Sequence, residues 1–247
     1  MTPKKHDRVL IVPDVHVPNH DRKAWSLLLK VARTEDFQHV VVLGDFIDND
    51  AVSLHEPHKT RVKNLKRELR LSVEALGELF YATSKATHTY CEGNHETRLQ
   101  RYIARMAPAL DGLLSIKEEL VGKNSVWNWV NYNDSVRLGK VNFTHDVGEA
   151  GLNAHRGAAK AFMSSAIIGH THRMSYEVTG RVDGAPVLGA MFGWLGDYRK
   201  VDYQHRAKAK QWPLGFGVGV FGGSGILHVQ PVPIINYTCC VFGKLYG

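Results

Sequence analysis

The sequence predicts an α/β fold that opens with alternating strands and helices and ends mostly in strands. Three observations carry this expectation. Short apolar runs alternate with amphipathic segments over the first hundred residues, the signature of a parallel sheet with crossover helices. After His172 the pattern changes to short strand-like runs separated by glycine-rich turns. The 247 residues show no internal repeat, low-complexity tract or linker-like boundary, so residues 1–247 are expected to form one domain.

The elements follow in order. Val9 to Val12 is a buried strand by its continuous apolar run. Asp21 to Arg33 has helical spacing, with Trp25, Leu28, Leu29 and Ala32 on one face and Asp21 placed to cap it. Val40 to Leu43 is a second buried strand. Arg61 to Tyr81 repeats apolar residues at a helical period and carries a basic face of Lys59, Arg61, Lys63, Lys66, Arg67 and Arg70. Thr87 to Cys91 is a third strand, and Thr97 to Met106 a helix stopped near Pro108. The stretch from Ala109 to Asn133 gives no clear period beyond room for a short helix. Strands are expected at Ser135 to Leu138, Val141 to Thr144 and Ala166 to Ile168, with a helix from Leu152 to Met163 between the last two. Later strands are expected near 173–179, 186–192, 216–221, 226–230 and 234–241.

Composition narrows the function classes. With 44% apolar and 22% charged residues the chain reads as globular, with enough apolar material for a substantial core. Lys and Arg outnumber Asp and Glu by 31 to 24, and the resulting +7 mildly favours a polyanionic or phosphorylated partner. Cys91, Cys239 and Cys240 form no disulfide framework, which points to a reducing cytoplasm. The apolar run at Val9 to Pro13 is too short for a signal peptide or a membrane span. A cytoplasmic protein without a membrane partner is therefore expected. Oligomeric state is not legible.

Five short motifs each follow an apolar run: "DVH" (Asp14, His16), "GDFID" (Asp45, Asp48), "GNHE" (Asn94, His95), "FTHD" (His145) and "GHTH" (His170, His172). In a mainly parallel sheet the loops after the carboxyl ends of the strands meet on one edge, so these residues converge. Carboxylates with imidazoles and no thiolate suit Mn, Fe, Zn or Ni. In Asp14-x-His16 and His170-x-His172, alternate residues of an extended segment leave from the same side and reach one site, or two neighbouring sites if the backbone bends. Asn94 and His95, side by side, read as two different jobs in one site.

These motifs, in this order from Asp14 to His172, resemble the pattern of the calcineurin-like metallophosphoesterases, D-x-H, GD-x-x-D, GNH-[ED], a lone His and GH-x-H. The spellings "GNHETRLQRYI" and "GHTHR" resemble compact phage and bacterial members. The resemblance implies a four-layer α-β-β-α sandwich, two mixed sheets face to face with helices outside. It implies two divalent ions, Mn2+ first, with Fe, Ni, Zn or Mg accepted by the same ligands. Asp14, His16 and His172 would hold one ion, Asn94, His145 and His170 the other, and Asp45 would bridge them. His95 would be the general acid, oriented by Asp48. The implied reaction is hydrolysis of a phosphomonoester or phosphodiester, with nucleic acid (DNA or RNA) or a nucleotide as substrate on the basic balance. The work would then be done in a host cytoplasm if the chain is phage-encoded.

The pattern departs from its phosphoprotein-phosphatase branch at "GDFIDND", where Asn49 stands in place of that branch's phosphate-binding Arg. A Ser/Thr-type protein phosphatase is the alternative reading, which Asn49 disfavours. A non-catalytic nucleic-acid-binding protein on the same fold is the alternative of another class. Arg98, Arg101 and Arg173 are candidate phosphate-binding cations. His55 and His58 are expected on a rim loop, because Pro57 keeps a regular helix from setting both on one face. Of the histidines outside the motifs, His155 is the one to place. Arg199 to Trp212 interleaves cations with aromatics, a pattern able to bind single-stranded nucleic acid.

Overall fold

Strand alternation assigns the layers. In β1 (Arg8–Val12), Val9 and Ile11 enter a core lying between two sheets, while Leu10 and Val12 pack under helices. With both faces covered, the strand has to be apolar throughout. The computed structural model describes residues 2–53, 64–123, 125–182, 184–200 and 206–247. Along them run α1 (Arg22–Thr34), β2 (His39–Val42), α2 (Leu65–Ala82), β3 (Thr87–Cys91), α3 (Arg98–Met106), α4 (Ile116–Val121), β4 (Asn128–Val130), β5 (Val136–Leu138), β6 (Val141–Thr144) and α5 (Ala154–Phe162). They continue with β7 (Ser165–Ile168), β8 (Met174–Arg181), β9 (Gly184–Phe192), α6 (Arg206–Ala209), β10 (Gly215–Phe221), β11 (Leu227–Pro233), β12 (Cys239–Val241) and β13 (Lys244–Tyr246).

One mixed sheet has the order β11-β10-β1-β2-β3-β4, with β1 to β4 parallel and β10 and β11 antiparallel. The other has the order β5-β6-β7-β9-β8, with β6, β7 and β9 parallel. Val9, Ile11, Val41 and Leu43 of the first meet Phe143, Ile167, Ala190 and Phe192 of the second. Leu28, Leu76, Leu79, Leu99 and Leu120 cover the outer face of the first sheet from α1 to α4. Ala154 and Ala158 of α5 cover Ala166 and Ile168 of the second. The result is an α/β sandwich of two mixed sheets flanked by helices, as expected.

Local chemistry sets the boundaries. Asp21 caps α1, its Oδ1 accepting from the Lys23 and Ala24 amides at 3.0 and 3.1 Å. Asn64 caps α2 by accepting from the Arg67 amide at 2.9 Å. The expected helix start at Arg61, the basic Lys59 and Lys63, and His55 and His58 lie outside the described residues. Lys66, Arg67 and Arg70 are exposed on α2, as its basic face required.

Two strands differ from expectation. β4 is three residues long, and it is held on the sheet edge by Trp129 stacked on Tyr90 at 4.5 Å. The run expected at 234–241 breaks, because Asn236 and Tyr237 both take left-handed φ (50° and 58°), a two-residue hairpin turn. The chain then forms the β12–β13 hairpin, which Glu35 ties down through Lys244 Nζ (3.0 Å) and Tyr246 Oη (2.5 Å).

Candidate metal centre

All five motifs sit just past the carboxyl ends of parallel strands, three from one sheet (β1, β2, β3) and two from the other (β6, β7). Hydrogen bonds join the loops across the sheets. The His170 amide donates to Asp14 Oδ1 at 2.8 Å, and His145 Nδ1 donates to the Leu43 carbonyl at 2.7 Å. The Val15 and His16 amides both reach the Asp45 carbonyl.

The side chains gather in two groups that share Asp45. Asp14, His16, Asp45 and His172 form one, and Asp45, His145 and His170 the other, with candidate ligand atoms in each within 4.8 Å of one another. Asn94 joins the second, its Oδ1 lying 3.0 Å from His145 Nε2 and 2.8 Å from His170 Nδ1. The ligand set named from sequence is thus brought together complete. The backbone bends within the GHTH and DVH loops. His16, His170 and His172 all have left-handed φ (58°, 66° and 54°), and so does Asp45 (46°). That bend sends His170 to one group and His172 to the other.

Several features fit divalent cations. Asp14 is fully buried, yet its Oδ2 has no hydrogen-bond partner. His16 Nε2 and His172 Nε2 face each other at 2.9 Å. The other nitrogen of His16 is engaged by Asp48 (3.3 Å) and that of His145 by Leu43, which leaves each Nε2 lone pair directed inward. The field also asks for positive charge. Burial opposes a charged His145, but Asp45 and Asp14 outweigh burial and raise it to about 10. Burial would likewise raise Asp45, but His145 and His95 hold it well below the usual carboxylate range. Gly93 is required by proximity, since a Cβ there would lie 2.3 Å from the Asp45 amide nitrogen and Oδ1.

Residues 7–203 match the calcineurin-like phosphoesterase family. The chain belongs to that family. It is 26% identical to the Gene 54 protein of Mycobacterium phage D29 and to that of Mycobacterium phage L5, over 97% of this chain and 98% of each relative. Among solved structures it is similar to a single mutant of Vps29 from Entamoeba histolytica, at 14% identity, 96% and 95% coverage and a TM-score of 0.49. It is also similar to Yfce, a phosphoesterase from E. coli, at 15% identity, 91% and 98% coverage and a TM-score of 0.43.

Beside the two groups, Asp48 is a hub of hydrogen bonds. Its Oδ1 accepts from His95 Nδ1 at 2.8 Å and His16 Nδ1 at 3.3 Å, and its Oδ2 from Asn19 Nδ2 at 2.5 Å. Burial would raise the Asp48 carboxyl, but the His16 and His95 hydrogen bonds hold it well down. His95 Nε2 accepts from Arg98 Nη2 at 2.8 Å, so the ring is the neutral Nδ1–H tautomer in this arrangement. Burial lowers its pKa, and the attraction of Asp45 and Asp48 does not restore it. A general acid has to carry a proton on the nitrogen that faces the substrate, and in this arrangement Arg98 occupies that nitrogen.

Other sequence candidates separate cleanly. Asn49 is fully buried and donates to the His95 carbonyl at 2.9 Å, so the departure from the phosphoprotein-phosphatase pattern is a packed strut. Arg98, Arg173, Lys208 and Trp212 line a cleft of about 540 Å3 with Asp45, Asn94, His95 and His172. Arg101 instead donates to the Asn94 carbonyl (2.5 Å) and Thr97 Oγ1 (2.6 Å). Of the 199–212 stretch, Arg199 pairs with Asp197 at 2.8 Å, and residues 201–205 lie outside the described residues. His155 sits on α5, 3.8 Å from Glu177, and belongs to no ligand group among the described residues. Asp146 takes the Tyr132 hydroxyl (2.9 Å) and the Gly148 amide (2.8 Å) and shapes the loop beside the cleft.

Sequence reasoning left Glu96 without a role. It is fully buried and accepts five donors: the amides of Asp45, Phe46, Ile47 and Gly93 and the Tyr90 hydroxyl. Its signal was a charged residue inside the turn between strand and helix, where solvent would be the default reading. Asn19 was also missed; its only hint is a position three residues past His16.

Proposed function

We propose that this chain is a binuclear metal-dependent phosphoesterase that cleaves phosphomonoester or phosphodiester bonds of nucleic acid or nucleotides. Two ligand groups sharing Asp45, with His95 beside them in an open cleft, carry the reading. Asp14, His16 and His172 would hold one ion and Asn94, His145 and His170 the other, with Asp45 shared between the two groups. Two divalent ions bound there supply Lewis acidity toward the phosphoryl oxygens and a lowered pKa for water. Mn2+ is the first ion to test, given oxygen and imidazole donors with no thiolate.

The remaining work falls to the chain. Arg98 and Arg173 present guanidinium groups to the phosphate from the cleft wall. An entering phosphate competes for Arg98, which frees His95 Nε2 to take a proton from solvent and pass it to the leaving oxygen as its bond to phosphorus breaks. Asp48 fixes the ring while it does so. The net charge of +7 and the basic cleft wall favour a nucleic-acid or nucleotide substrate. Asn49 is already committed to the His95 carbonyl, which argues against a protein phosphatase. Full-length similarity to the two mycobacteriophage proteins supports the phage and bacterial branch. Three free cysteines fit a reducing host cytoplasm.

The test is hydrolysis of aryl phosphate mono- and diesters by the purified chain with Mn, Ni, Zn or Mg. Asp45→Asn is expected to lose both activity and metal. His95→Asn should keep both ions and lose rate by roughly 10²–10⁴-fold. No turnover with any of the four ions, or an unchanged rate in His95→Asn, sinks the proposal.

A further inference from the structure

Two tryptophans pack against the candidate ligand His172. Trp194 is buried and stacks on the His172 ring at 4.9 Å and 21°. Trp212 meets the same imidazole edge to face at 4.3 Å and 81°, and meets Trp194 at 4.9 Å and 79°. The Trp194 indole also donates to the Trp212 carbonyl at 3.2 Å, which fixes the segment. Unlike Trp194, Trp212 is only half-buried, and it lines the cleft. It is the sole aromatic side chain other than histidine among the lining residues, in a wall otherwise made of polar, charged and small groups.

The two cations beside it suit a phosphate chain. Arg173 adjoins His172 in sequence, and its guanidinium reaches Gln211 through long contacts of 3.4 and 3.5 Å. Contacts of that length are readily exchanged for a phosphate oxygen. Lys208 is exposed and lines the same cleft. An aromatic platform flanked by cations is the arrangement that binds nucleobases by stacking while the cations track the backbone.

We infer that Trp212, flanked by Arg173 and Lys208, is a stacking subsite for the nucleobase of a phosphoester held at the metal centre. The inference rests on the phosphoesterase reading and narrows its substrate to a nucleobase-bearing ester. His172 links the two sites, since the ring that faces Asp14 and His16 is the ring that Trp212 touches.

The test compares a single-stranded oligothymidylate with an abasic oligonucleotide of the same length, with Mn2+ present and salt fixed. Wild type should favour the base-bearing strand in kcat/KM. In Trp212→Leu that preference should fall by about fivefold or more, chiefly through KM, the size expected for one stacked base. Trp212→Phe should restore most of it. Metal content per chain is measured for each variant. No wild-type preference, an unchanged preference in Trp212→Leu, or equal losses on both strands with loss of metal would overturn the inference, the last assigning Trp212 to support of His172 alone. If wild type cleaves neither strand, the aryl phosphate assay decides the phosphoesterase reading separately. Fluorescence anisotropy with the same two strands then decides the subsite: a base preference lost in Trp212→Leu and kept in Trp212→Phe supports it, and no such change overturns it.

Discussion

Glu96 shows how one carboxylate can hold two loops in register. Its Oε2 takes the Asp45 and Gly93 amides at 3.0 and 2.9 Å, and its Oε1 takes the Phe46 amide (2.8 Å), the Ile47 amide (3.3 Å) and the Tyr90 hydroxyl (2.7 Å). Burial and the adjoining Asp45 charge push its carboxyl up to about 7, against the Tyr90 hydrogen bond and the His145 charge, which lower it. Gln is not conservative here, because its NH2 must face N–H or O–H donors whichever way the amide is turned. Glu96→Gln is expected to lower stability by about 2–4 kcal/mol and metal affinity by roughly 10–100-fold, read by denaturant unfolding and metal titration. Tyr90→Phe removes a single donor and should cost about 1 kcal/mol with metal affinity near wild type. Equal effects of the two substitutions would refute the strut role. The candidate ligands were legible in the sequence because residue type and strand-end position announce them. Glu96 and Asn19 were not, because their partners are backbone groups or side chains brought near only by folding.

At the scale of elements, the legible parts were those whose signal is local. The continuous apolar runs of β1 and β2 and the Asp21 cap of α1 need no partner to be recognised. β4 and β13 are three-residue strands whose existence depends on a neighbour, and the break at Asn236–Tyr237 depends on backbone angles that no periodicity reports. The junction of α2 with the turn after Asp48 makes a quantitative case. Glu68 on α2 is buried, accepts from the Ala51 amide at 3.1 Å, and leaves Oε2 without a partner. Burial first, then the Asp50 and Asp48 charges, raise its carboxyl from 4.5 to about 8. The folded state therefore keeps a proton that the unfolded chain releases above about pH 4.5, so this group lowers stability progressively from about pH 4.5 to pH 8. Gln keeps the acceptor and removes the titration. Glu68→Gln should match wild type near pH 4 and exceed it by roughly 1–3 kcal/mol at pH 8, measured by denaturant unfolding across that range. A pH-independent difference would show that Glu68 does not titrate with folding.

Over the whole molecule, the centre lies on the seam between the sheets. Asp14, His16, Asp45 and Asn94 come from the first sheet and His145, His170 and His172 from the second. Each ligand group contains residues of both sheets. Asp14, Asp45 and Asp48 are buried together there, and four left-handed non-glycine residues in the ligand loops each cost about 1–2 kcal/mol. Cations that satisfied this set would bind the folded chain and not the unfolded one, and would act as staples between the sheets. At a free metal concentration a hundred times the dissociation constant, one site adds about 2.7 kcal/mol. For a chain of this size that raises the melting temperature by about 5–10 °C per site. Mn2+ should therefore raise the melting temperature of chelator-treated protein in a saturable way, and EDTA should reverse it. His172→Ala, which strips one group alone, should keep part of the rise, while Asp45→Asn should lose most of it because both groups share that carboxylate. If Asp45→Asn keeps the full rise, or His172→Ala loses as much as Asp45→Asn does, the shared-carboxylate arrangement does not govern metal binding across the seam.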